Sequence, residues 1–81
     1  MYKLLKNERF CENLKKIRKK RGLTQEQTVT KLQLLGSPIS RSTYSLIEMG
    51  RCNIFITDLI GLKQIFDVEF DEFFEGISVQ R

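Results

Sequence analysis

Apolar residues recur along most of this chain at spacings of three and four, the period of an amphipathic helix, and no alternating strand pattern persists. The first such run predicts a helix from about Asn7 to Arg21. Phe10, Leu14 and Ile17 lie along one face, and Lys15, Lys16, Arg18, Lys19, Lys20 and Arg21 occupy the others. Cations in the last turn suit the negative end of the helix dipole, and Gly22 supplies the residue that commonly follows a C-cap. Thr24 opens a second helix, with Gln27 completing a capping box three residues on. That helix runs through Val29 and Leu32 to about Leu35, where Gly36, Ser37 and Pro38 break it by freed torsions and a missing donor. Ser40 is the expected N-cap of a third helix, from about Arg41 to Met49, with Tyr44 and Ile47 inward and Gly50 at its end. Residues 51–56 read as a connection. Thr57 reads as the N-cap of a fourth helix whose apolar set is Leu59, Leu62, Ile65 and Phe66. A short fifth helix, about Phe70 to Glu75, follows a break at 67–69, and Gly76 closes it. The pattern therefore predicts an all-α protein of five helices.

With 81 residues the chain is one domain, 1–81, large enough for a compact helical bundle. No run of 18 apolar residues is present, so no transmembrane helix is expected. The stretch from Met1 to Phe10 carries Lys3, Lys6, Glu8 and Arg9 and lacks an apolar h-region, so it does not read as a secretory signal, and a cytoplasmic protein is expected. Cys11 and Cys52 then read as reduced thiols, buried or incidental. With no histidine and no CxxC, a zinc site lacks its ligands. No metal and no cofactor are expected.

Charge adds the first functional signal. Residues 1–52 hold 12 Lys/Arg against 4 Asp/Glu, a net of +8, whereas residues 53–81 hold 2 against 6, a net of −4. The overall +4 says little, but a basic N-terminal two-thirds beside an acidic end suits one part of the molecule to a polyanion.

Three strings then line up in order and spacing: KKIRKKRGLTQEQ at 15–27, ISRSTYSLIEMGR at 39–51 and LKQIFDVEFDEFFEG at 62–76. Together they resemble the Cro/phage-repressor (Xre) family of helix-turn-helix domains, over about residues 8–76. The Gly-Leu-Thr-Gln opening and the third helix with Ile47, Glu48 and Gly50 are the specific parts. The resemblance implies a compact, lambda-repressor-like bundle of five helices, with the helix-turn-helix at about 24–49 and the third helix in the DNA major groove. One departure is clear. QLLGSPI at 33–39 separates Leu32 from Ser40, where the family has a turn of a few residues, and this leaves the pose of the third helix open.

The first residues of the recognition helix touch base edges in such proteins. Arg41 is the leading base reader, because arginine can donate two hydrogen bonds to guanine O6 and N7. Ser42 and Ser45 are further candidates for base readout, although short hydroxyls serve phosphates equally well. Leu46 stands where the family has a polar reader. It shares a face with Ser42 and Met49, and three roles stay open: packing on a thymine methyl, contact with a protein partner, or an ordinary surface leucine. Among phosphate candidates, Gln25 lies at the N-terminus of the second helix, where free amides and the dipole favour anions. Thr43 and Arg51 are the others, with Thr43 better suited to supporting the Ser40 cap. Tyr44 is expected in the core with its hydroxyl at the edge. The resemblance also pairs Arg18 with Glu48 as a structural link between the first and third helices. The lysines of the first helix read as a solvated face that adds long-range attraction.

No catalytic constellation is present: there is no histidine base, no activated cysteine, and the carboxylates of Glu69, Asp71, Glu72 and Glu75 form the solvated face of a short amphipathic helix. The expected function is therefore binding, not catalysis. The sequence points to a DNA-binding transcriptional regulator, a repressor of bacterial or phage type that occupies its operator as a homodimer. The candidate dimer surface is Phe70, Phe73, Phe74, Ile77 and Val79, set against the plainer reading that most of these fill the monomer core. The alternative is an antitoxin or other protein-interaction module on the same fold, with a partner such as a toxin.

Overall fold

The computed structural model describes the backbone of Lys3 and Leu4, and residues 7–78. The elements in chain order are β1 (Lys3–Leu4), α1 (Glu8–Lys20), α2 (Gln25–Leu34), α3 (Arg41–Glu48), β2 (Ile54–Phe55), α4 (Ile56–Phe66) and α5 (Phe70–Phe73). The helical content follows the apolar period, and the helix ends follow local chemistry. Asn7 Oδ1 accepts from the Phe10 amide at 3.0 Å and caps α1. At the other end, Gly22 turns the chain at φ 73°, its amide reaches the Lys19 carbonyl, and the Leu23 amide reaches that of Arg18. This Schellman closure satisfies carbonyls that the last turn leaves free. The Thr24–Gln27 capping box is closed in both directions, at 2.9 and 3.0 Å.

The connection between α2 and α3 is long but built. Gly36 at φ 102° ends α2 with a second Schellman closure, Ser37 amide to Leu32 carbonyl at 3.1 Å. Ser37 Oγ then donates to Asp58 Oδ1 on α4 at 2.6 Å, and Gln33 Nε2 donates back to the Ile39 carbonyl at 2.9 Å. The segment is thus tied to both α2 and α4, and Ile39 is buried. Ser40 caps α3 by accepting from the Thr43 amide at 3.1 Å.

Three local expectations are corrected. Thr57 does not cap α4: the helix starts two residues earlier than that cap implies, at Ile56, with Phe55 at the cap position and no side-chain cap bond. Phe55 cannot supply a capping oxygen. Its backbone is held extended because β2 pairs antiparallel with β1, Lys3 opposite Phe55 and Leu4 opposite Ile54. Two-residue strands carry too little alternation to show in a sequence pattern. Finally, α5 ends at Phe73 rather than at Glu75, since Phe74 leaves helical torsions at φ −107°, ψ 9°.

The core runs through the centre of the bundle. Leu14, Leu32, Tyr44, Leu62, Phe66 and Phe73 are its most buried large side chains. Gly61 lies where α4 crosses α2: a Cβ there would stand 2.8 Å from Leu32 Cδ2, so the close approach needs the missing side chain. Asn13 Nδ2 donates to the Phe73 and Glu75 carbonyls at 2.9 and 2.8 Å, tying the C-terminal turn onto α1. Phe10 packs against Phe73 and Phe74, with ring centroids 6.2 and 5.7 Å apart.

Candidate nucleic-acid interface

The capped start of α3 places Arg41 and Ser42 on the surface, both exposed. The rest of the helix is anchored from beneath. Tyr44 and Ile47 enter the core, and Glu48, at the last helical position, meets Arg18 of α1. Arg18 Nε donates to Glu48 Oε2 at 2.6 Å and Nη2 to Oε1 at 3.0 Å, a bidentate pair with both side chains almost fully covered. Arg18 Nη1 also donates to the Leu23 carbonyl at 2.8 Å, fastening the turn before α2 to the same group. Burial works to raise the Glu48 carboxyl, but Arg18, Tyr44 and Gln25 together hold its pKa below the ordinary value. The hydrogen bonds that Arg18 donates to Glu48 keep its guanidinium charged more firmly than usual.

Gln25 continues this network outward. Its Nε2 donates to Glu48 Oε1 at 3.1 Å, and its Oε1 accepts a long contact from Arg41 Nε at 3.5 Å. The buried ion pair, the N-terminus of α2 and the first residue of α3 are therefore contiguous. Tyr44 is fully buried, hydroxyl included, and so is not at an edge. Its Oη faces Glu48 and Arg18 without a hydrogen bond of good geometry, and burial raises its pKa.

The other sequence-selected residues are distributed unequally. Thr43 is half-buried and engaged in the cap: its amide donates to Ser40 Oγ, and the two hydroxyls lie 3.0 Å apart. Ser45 is half-buried, with its hydroxyl 3.8 Å from Met49 Sδ. Leu46 and Met49 are 40% and 56% exposed, so α3 presents an apolar stripe beside Arg41 and Ser42. Arg51 is exposed beyond the Gly50 turn, and its amide closes that turn on the Leu46 carbonyl at 2.9 Å. The two cysteines are unpaired: Cys11 is buried, which raises its thiol pKa, and Cys52 is half-buried. Among the described residues no helix is long and apolar enough to cross a membrane.

Of the proposed C-terminal dimer surface, Phe73 is wholly inside the monomer and Ile77 packs against its core. Phe70 and Phe74 are partly covered, by Lys63 and by Phe10. Val79 lies outside the described residues. The sequence reading missed a different surface: Leu34, 83% exposed, and Leu35, 56% exposed, at the end of α2. The signal was present for Leu34, which falls off the Thr28–Val29–Leu32 face that α2 buries, whereas Leu35, seven residues after Thr28, continues that face.

A second helix capped by a box, a connector pinned to the bundle, and a third helix held by a buried pair with its first residues exposed define a helix-turn-helix domain. A family model described as helix-turn-helix matches residues 14–73, and the chain belongs to that family. It is 36% identical over 72 residues to the uncharacterized HTH-type transcriptional regulator YqaE of Bacillus subtilis (strain 168). That alignment covers 89% of this chain and 58% of the relative, so the chain spans little more than half the length of the regulator it matches. No solved structure matches it.

Proposed function

We propose that the chain is a sequence-specific DNA-binding regulator of transcription that represses by occupying an operator as a homodimer. The observation that carries this reading is the anchoring of α3. Its base is locked to α1 by the Arg18–Glu48 pair, while Arg41 and Ser42 at its N-terminus are exposed towards a base edge. A reading helix has to be held rigidly by contacts that do not compete with DNA, and this pair is buried away from the surface that would meet the duplex. Arg41 reads bases; Ser42, Ser45 and Leu46 complete the readout; Gln25, Thr43 and Arg51 meet phosphates on either side. The relative's name, a transcriptional regulator, supports the same reading.

A second reading is favoured by one observation: Leu46 and Met49 put apolar area on α3 beside the polar readers. On an antitoxin or other interaction module, that stripe would receive a protein. Selection from a randomised duplex pool, followed by titration at low and physiological salt, separates the two. The regulator predicts an enriched palindrome with half-sites about one helical turn, ~34 Å, apart and a steep salt slope. Weak binding to every sequence alike would favour the protein partner.

A further inference from the structure

The first turn of α3 carries the leading reader but no buried side chain: Arg41 and Ser42 are exposed and Thr43 is half-buried. The buried residues Tyr44, Ile47 and Glu48 all come later in the helix, and the Arg18–Glu48 pair holds its far end. A rod held at one end can pivot. At 1.5 Å per residue α3 is about 12 Å long, so a tilt of about 5° at Glu48 moves Arg41 by about 1 Å. Recognition groups have to be held to within roughly 0.5 Å to keep their geometry. The near end therefore needs an anchor of its own, and the segment that enters it supplies one. Ser37 Oγ is bonded twice: it donates to Asp58 Oδ1 at 2.6 Å and accepts from the Ile39 amide at 3.2 Å. Asp58 is buried in the first turn of α4, and α4 is itself pressed against α2 where Gly61 meets Leu32. Between the two bonded residues, Pro38 has its φ fixed by its ring. Ile39 is buried, and its carbonyl accepts from Gln33 Nε2 at 2.9 Å. Ser40 follows directly and caps α3 through the Thr43 amide.

Resting on the reading of the chain as a sequence-specific DNA-binding regulator, we infer that Ser37 and Asp58 are positioning residues for DNA recognition. Their hydrogen bond sets the direction in which α3 leaves the connector, and with it the aim of Arg41 at a base edge. Asp58 is buried and acts only through Ser37. The chemistry suits this role better than plain adhesion does. An apolar contact would hold the connector against α4 without fixing its orientation, whereas a hydrogen bond weakens steeply as it bends. A carboxylate acceptor makes that bond short and strong. The two ends of α3 are thus fixed to different helices, the base to α1 through Glu48 and the head to α4 through Ser37. The long connector, which departs from the few-residue turn of Cro/phage-repressor domains, brings this second anchor with it.

The test titrates the parent, Ser37→Ala, Asp58→Ala, Asp58→Asn and the double variant Ser37→Ala/Asp58→Ala against the operator that the parent selects from a randomised pool and against a scrambled duplex. Thermal melts confirm that each variant is folded at the temperature of titration. A bond that only adds stability would lower the melting temperature and leave the ratio of operator to scrambled affinity unchanged. A positioning bond lowers that ratio, by roughly tenfold in Ser37→Ala and in Asp58→Ala. The scrambled duplex is held through its phosphates and reports any change of charge separately. Because both single variants break the same bond, the double variant should be no worse than either. Asp58→Asn keeps a neutral acceptor of roughly half the strength, and should stay within about threefold of the parent. The inference is overturned if Ser37→Ala keeps the parent's ratio, or if the two single losses add in the double variant. Should Ser37→Ala fail to fold, Asp58→Ala set against Asp58→Asn decides: equal ratios in the two overturn the inference. A parent that enriches no operator would overturn the regulator reading and this inference with it. A parent whose operator is read equally well without the bond would overturn the inference alone.

Discussion

The Gln25 amide donates to Glu48 Oε1 at 3.1 Å, on the same oxygen that Arg18 Nη2 reaches at 3.0 Å. One carboxylate thereby organises a buried arginine on α1, the first residue of α2 and its own helix α3. Gln25 is also the step from that buried pair to Arg41. Any change at Glu48 should be felt both in stability and in the orientation of the α3 N-terminus.

Glu48→Ala should be strongly destabilising, by about 3–5 kcal/mol, because it strands a buried guanidinium. Replacing both partners, with Arg18→Met and Glu48→Leu, should cost much less than that single change. Denaturant unfolding of the two single variants and the double variant measures the difference, and equal losses in Glu48→Ala and the double variant would mean that the stranded charge is not the cause.

The pH dependence has a defined sign. Folding lowers the Glu48 pKa, so its contribution is fully present above the ordinary carboxylate value of about 4.3 and is lost as pH falls through the lowered folded value. Melting temperature should fall on acidification below about pH 4 in the parent. Glu48→Gln, already less stable at neutrality, should show a flatter acid limb.

Tyr44 gives an opposite dependence at the alkaline end. Burial raises its folded pKa, so its contribution is intact below the ordinary value of about 10 and is lost as pH rises beyond it. Because its hydroxyl makes no good hydrogen bond, Tyr44→Phe should be within about 1 kcal/mol of the parent at neutral pH. It should also be more resistant to unfolding at high pH. A large loss at neutrality would show that the hydroxyl has a partner.

Arg41→Ala should lose about 1–3 kcal/mol at a selected operator and relax preference at one position of the site. Arg51→Ala should weaken binding to all sequences about equally and lower the salt slope by about one. Titration of both variants against the selected palindrome and a scrambled duplex distinguishes a base reader from a phosphate contact.

The helices were legible because their information is local. Capping residues, glycines at helix ends and a three-to-four apolar spacing act within a few residues, and Thr24, Gln27, Ser40 and Gly22 each function where local chemistry puts them. The resemblance to Cro/phage-repressor domains supplied the order of the helices and the candidate readers on α3. The β1–β2 pairing was not legible, since strands of two residues are joined across some fifty positions and carry no pattern of their own. The start of α4 moved with it, because an extended Phe55, and not the hydroxyl of Thr57, sets where the helix begins.

Sequence alone thus determined an all-α helix-turn-helix domain with Arg41 at the head of α3, because caps, periodicity and motif spacing are short-range. Tertiary structure decided which apolar side chains remain in water. Phe70, Phe73 and Phe74 look alike along the chain, yet packing against Phe10 of α1 leaves Phe73 completely buried, whereas Phe70 and Phe74 each stay 38% exposed. It also decided that Gln25 joins Glu48 to Arg41, a contact between residues 16 and 23 positions apart that only the crossing of α2 over α3 brings within hydrogen-bond reach.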